Sequence, residues 1–141
     1  EQTASRGAAR ETGAVETDRP PARGSAASAG AGWNLWRMPP DGAGPNDARA
    51  EQVTGDEWED WFPHFSPNGK WMAFLSFPTG TTGHNDKMAG VVLRLMPAPG
   101  RKVKPARIET LATIFGGQGT INVNSWSPDS KKLAYVAYEL R

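Results

Sequence analysis

The chain holds two histidines, His64 and His84, and these are the natural starting points for acid–base or metal chemistry. His64 follows the run Asp56-Glu57-Trp58-Glu59-Asp60, which places four carboxylates just ahead of an imidazole. Carboxylate oxygens suit a divalent cation, and a carboxylate with an imidazole suits proton transfer. The spacing matches no standard metal motif. The plainer reading is an acidic surface loop before a strand, with His64 near the strand end. Asp60 and His64 are the candidate contact residues here. His84 sits with Asn85 and Asp86 in "FPTGTTGHNDKMAG", a segment long for a hairpin, and long loops often carry function. His84 and Asp86 are the candidates of that loop, and the two histidines would form one site only if both reached the same rim.

A third stretch, "FGGQGTINVN" from Phe115 to Asn124, has glycines that would let backbone approach a phosphate. It lacks the Gly-Lys-Ser/Thr ending, and no helix is expected after it, so it is no P-loop. It reads as a turn in which Gln118, Asn122 and Asn124 offer neutral hydrogen-bonding groups to a peptide or a sugar. Arg101, Lys102, Lys104 and Arg107 read as a solvated turn that also guards a strand edge, with a basic patch for an acidic partner as the alternative. Trp58 and Trp61 read as packing residues rather than sugar platforms.

Several classes drop out. The chain has no cysteine, which excludes disulfides, thiol nucleophiles and thiolate metal sites. Lys plus Arg total 16 against 15 Asp plus Glu, so no large electrostatic footprint for nucleic acid exists. No apolar run approaches the ~18 residues of a membrane span. No basic start leads into an apolar core, so no signal peptide is read in these residues. There is no Gly-x-Ser-x-Gly elbow, His-Glu-x-x-His pair or calcium loop, hence no convincing catalytic set, no metal and no cofactor.

The elements that would position these residues emerge from a repeat. "HFSPNGKWMAFLSF" (64–77) returns as "SWSPDSKKLAYVAY" (125–138), and "LWRMPPDG" (35–42) returns as "LRLMPAPG" (93–100). In Ser66-Pro67-Asn68-Gly69 the proline suits the first central position of a type I turn, and Gly69 then accepts a left-handed conformation. Ser130 replaces that glycine in the second copy, so Ser130→Gly is expected to stabilise the fold. After each turn, alternate residues on both faces are apolar: Met72 and Phe74 against Ala73, Leu75 and Phe77, then Leu133 and Tyr135 against Ala134, Val136 and Tyr138. Such strands are covered on both sides. Strands are expected at 33–38, 49–54, 61–66, 71–77, 90–96, 107–113, 120–127 and 132–138. Residues 1–32, rich in Ala, Gly, Arg, Ser and Pro, read as a disordered tail or linker, and the folded part as 33–141.

"FSPNGKWMAF" and "WSPDSKKLAY" resemble the Ser-Pro-Asp-Gly-Lys repeat of TolB-like β-propellers, relatives of the WD-repeat class. "NLWRMPPDGAG" and "EQVTGDEWEDWFPHFSP" resemble the rest of such a blade and the crossing to the next. The resemblance covers residues 33–141, with Val53 in place of the usual Leu. It implies an all-β fold of four-stranded antiparallel β-propeller blades. About two blades' worth is present, which reads as a C-terminal fragment of a larger propeller. It also implies a periplasmic or envelope setting and a non-enzymatic module that takes a protein or peptide at its rim or channel. The alternative is the propeller part of a hydrolase, such as a peptidase, or of a sugar lyase, with the chemistry elsewhere. An isolated fragment, with open edges and an uncovered apolar face, is expected to oligomerise or aggregate.

Overall fold

A computed structural model describes residues 14–16, 32–100 and 107–139. The described residues are all-β, with seven strands, two 3-10 turns and no α-helix. Strands β1 (Ala14–Glu16), β2 (Leu35–Arg37) and β3 (Glu51–Gln52) form one antiparallel sheet in that order. Strands β4 (Glu59–Phe65), β5 (Trp71–Phe77), β6 (Met88–Pro97) and β7 (Glu109–Gly116) form a four-stranded antiparallel meander. This arrangement fits part of a β-propeller: one full blade beside a smaller sheet. β1 falls within the segment expected as a tail and pairs Val15 with Trp36. The remainder of residues 1–31 lies outside the described residues, as do Arg101, Lys102 and Lys104 of the basic cluster. Arg107 is exposed and pairs with Glu109 at 3.3 Å.

The apolar residues on both faces of β5 dictate the layering. Met72 and Phe74 pack with Leu35 and Met96 on one face, with Val53, Phe65 and Ile108 at the margin. Leu75 and Phe77 pack with Trp61, Val91, Leu93 and Ile121 on the other, bordered by Trp33 and Leu133. Leu35 of the small sheet and Val53 just after it therefore help to cover one face, and the segment after β7 helps to cover the other through Ile121 and Leu133. Phe74 and Leu75 both have zero exposure, as the double-sided pattern requires. Full burial of either stabilises the fold by about 1.5–3 kcal/mol.

Three register shifts shape the sheet, the third lying between Leu93 and Arg94 of β6. The register of β4 against β5 shifts between Trp61 and His64, where Phe62 has φ of 58° and Pro63 comes next. Proline cannot donate to a ladder, so it is tolerated here on the sheet's edge strand, at a bulge. In β6 the register shifts between Met88 and Val91, and Gly90 supplies the left-handed φ of 80° that such a bulge favours.

The two Ser-Pro turns are built alike. The Ser66 hydroxyl donates to Asn68 Oδ1 at 2.8 Å, and the Lys70 amide donates to the same oxygen at 3.0 Å. The Ser127 hydroxyl donates to Asp129 Oδ1 at 2.6 Å, and the Lys131 amide does so at 3.1 Å. Gly69 and Ser130 both adopt the left-handed region, at φ of 67° and 60°.

The structure departs from the expected strands after β7. Residues 118–120 form a 3-10 turn, and the strands expected at 120–127 and 132–138 reduce to one bridge between Trp126 and Leu133. Tyr135 is 45% exposed and Val136 51%, so the double-sided burial expected of this segment is not met. The physical reason is local: residues 134–138 make only scattered main-chain bonds, to Ser125, Thr120 and Phe115, and among the described residues no second sheet lies over them.

Candidate interaction site

The candidate residues divide between a pair of interlocked loops and a buried charge cluster. In the loops, the Gln118 amide donates to the His84 carbonyl at 2.9 Å. Gly117 lies so close to the loop before β6 that a Cβ there would sit 2.8 Å from the Asp86 carbonyl oxygen. Only glycine allows this approach without displacement. The His84 ring stands edge-on to Trp61 and Phe62, with centroids 5.2 and 4.8 Å away. His84, Asp86 and Gln118 are thus brought together, with His84 partly buried and Asp86 exposed.

His64 is held by the same segment at a different point. Its Nε2 donates to the Ile121 carbonyl at 2.5 Å, so the proton of a neutral ring lies on that nitrogen. The carbonyls on this edge of β4 are also taken: Trp126 Nε1 donates to His64 O at 3.2 Å, and Asn124 Nδ2 to Phe65 O at 3.0 Å. Asn124 is therefore partly engaged, whereas Asn122 is exposed. His64 and His84 contact different partners, and among the described residues no group of three metal-donor side chains occurs. Residues 116–124 tie both histidines to one piece of chain, which sequence spacing alone did not reveal.

Asp60 belongs elsewhere. It lies opposite Ser76 in the β4–β5 ladder and has zero exposure. The Ser76 hydroxyl donates to Asp60 Oδ1, Arg94 Nη1 lies 3.6 Å from that oxygen, and Arg94 Nη2 pairs with Asp56. Arg94 Nη1 also donates to Ser76 Oγ at 3.2 Å, and its guanidinium lies 5.5 Å from the Phe74 ring centre. Among the described residues Asp60 Oδ2 is buried without a hydrogen bond of good geometry. Burial pushes the Asp60 carboxyl up to about 7; the Ser76 and Thr54 hydroxyls oppose this, Asp56 adds to it, and Arg94 opposes it. So placed, Asp60 has no exposed surface to offer a partner.

Glu59 was hidden within the acidic run. It is 5% exposed; its Oε2 accepts the Trp33 amide at 2.5 Å and its Oε1 the Gly80 amide at 2.9 Å. The expected acidic surface loop is thus half right: Glu57 is exposed, whereas Glu59 and Asp60 point into the protein. No spacing signal marked this burial: Trp58 and Trp61 stand three residues apart, which is not the period of a strand.

No family model matches the chain. It is 38% identical over 104 residues to an uncharacterized protein of Agrobacterium fabrum, a match spanning 74% of this chain and 32% of that protein. A solved structure from Agrobacterium tumefaciens, provisionally assigned as TolB, matches with a TM-score of 0.66 at 34% identity, over 78% of this chain and 36% of that one. The chain spans about a third of the length of each. Its fold is TolB-like.

Proposed function

We propose that this chain is part of a non-enzymatic propeller module of the bacterial envelope, periplasmic in setting, that binds a protein or peptide through loops held rigid by its sheets. The TolB-like fold supports the setting and the class. The observation that carries the reading is the interlocking of the loop around His84 and Asp86 with residues 116–124. That contact fixes Asp86, Gln118, Asn122 and Asn124 on one body, with His64 and His84 as its anchors. Asp86 and Asn122 are exposed and offer a carboxylate and an amide to a peptide backbone. Rigid display limits the entropy lost on binding. No observation among the described residues favours a hydrolase or lyase.

The test is reconstitution. A protein captured from periplasmic extract is purified and titrated with this chain by calorimetry. The double variant Asp86→Ala, Asn122→Ala is expected to weaken binding about tenfold or more with an unchanged melting temperature. Binding that ignores both substitutions sinks the loop assignment, and failure to isolate any specific partner sinks the binding role.

A further inference from the structure

We propose that residues 131–139 are a self-complementary edge through which two copies of this chain pair antiparallel about Tyr135. The amides of Ala134, Val136 and Tyr138 donate inward, to the carbonyls of Ser125, Thr120 and Phe115, each at 3.0 Å. The Lys132 carbonyl accepts the Ser127 amide at 2.8 Å. The amides of the even-numbered positions are thereby satisfied within the chain. Among the described residues, no main-chain hydrogen bond involves Tyr135 or Ala137, whose groups alternate to the outer side. Tyr135 and Val136 are about half exposed beside this open edge. An unpaired edge flanked by apolar side chains is a template for another strand.

The charge pattern selects a second copy, and selects its direction. Antiparallel pairing centred on Tyr135 puts Tyr135 opposite itself and Ala137 opposite Leu133 of the second copy. Lys131 then faces Glu139 of the second copy, and the two-fold axis makes that ion pair twice. Leu133, Tyr135 and Ala137 are odd positions whose main-chain groups face outward, as directly opposed hydrogen-bonded residues require. The Lys131 amide is held by Asp129 Oδ1, so Lys131 meets Glu139 through its side chain, at the end of the pairing. Parallel in-register pairing instead sets Lys131 against Lys131 and Glu139 against Glu139, which is unfavourable. The inference is independent of the loop-binding reading.

The chain has no cysteine, so Tyr135→Cys adds a single thiol. Opposed hydrogen-bonded residues have Cα atoms ~5.5 Å apart, inside the disulfide range. Tyr135→Cys is expected to form a covalent dimer under mild oxidation about tenfold faster than Val123→Cys, a control at a site that is 68% exposed and off the edge. By sedimentation equilibrium the unmodified chain should dimerise. Lys131→Glu and Glu139→Lys should each weaken the dimer roughly three- to tenfold, and the two together should restore it. A chain monomeric at every concentration, equal crosslinking rates at the two sites, or a double variant no better than the singles would overturn the proposal.

Discussion

The amide of Asn68 donates to the hydroxyl of Ser130 at 3.0 Å, so the two Ser-Pro turns are clasped to each other. This changes what Ser130 is for. Its φ of 60° carries a strain of roughly 1 kcal/mol that glycine would relieve. Its hydroxyl accepts a bond worth about 1 kcal/mol that glycine would lose. Ser130→Gly is therefore expected to leave stability within about 0.5 kcal/mol of the parent, not to raise it as the sequence alone implies. Ser130→Ala keeps the strain and loses the bond, so it should cost about 1 kcal/mol. Urea unfolding of both variants separates the two terms, and a clear gain for glycine would show that the clasp contributes nothing.

Coverage of β5 on both faces gives a second expectation. Phe74→Ala and Leu75→Ala remove side chains from opposite clusters, so both should be costly: about 3–5 kcal/mol for Phe74 and about 2–5 kcal/mol for Leu75. Val136→Ala, at a site 51% exposed, should cost about 0.5 kcal/mol or less. Were either large substitution as mild as Val136→Ala, one face of the blade would have to be wet. The three melts can be read side by side.

The central blade was legible because its signals are local. The Pro-Asn turn, the left-handed Gly69 and the apolar alternation of 71–77 all lie within one short stretch and agree with one another. The segment after β7 has the same turn chemistry in Pro128-Asp129, yet becomes a bridge rather than a hairpin of strands. A strand needs a continuous ladder, and from Tyr135 onward only the amides of Val136 and Tyr138 bond to the main chain, at Thr120 and Phe115. The site was less legible, because Gln118 reaches His84 and Asn124 reaches Phe65 across separations that no spacing rule covers. The burial of Glu59 and Asp60 is not legible locally, because a run rich in acids has the composition of solvated surface.

Glu59 is expected to matter more than its place in an acidic run implies. Its two oxygens accept amides from opposite sides, Trp33 before the small sheet's β2 and Gly80 after β5. Glu59→Gln keeps the shape but turns one acceptor into a donor facing an amide, so it should destabilise by about 1–3 kcal/mol. Hydrogen exchange should show faster exchange at Trp33 and Gly80 before other positions change. Exchange that rises evenly over the whole chain would mean that Glu59 holds no particular segment.

Asp60 sets a pH dependence whose sign is fixed by its burial. In the unfolded chain its carboxyl titrates at an ordinary value, whereas in the folded state burial raises it to about 7. Between those limits the folded protein holds a proton that the unfolded chain has released. Stability therefore falls as pH rises from about 4 to about 7, then levels. The effect is on the order of 4 kcal/mol at most, the opposing pull of Ser76 and Arg94 being already contained in the raised value. Asp60→Asn keeps an acceptor for Ser76 and cannot ionise. It should match the parent near pH 5, exceed it near pH 8, and remove this portion of the slope. Urea midpoints at the two pH values measure this directly, and parallel profiles for parent and variant would place the buried charge somewhere other than Asp60.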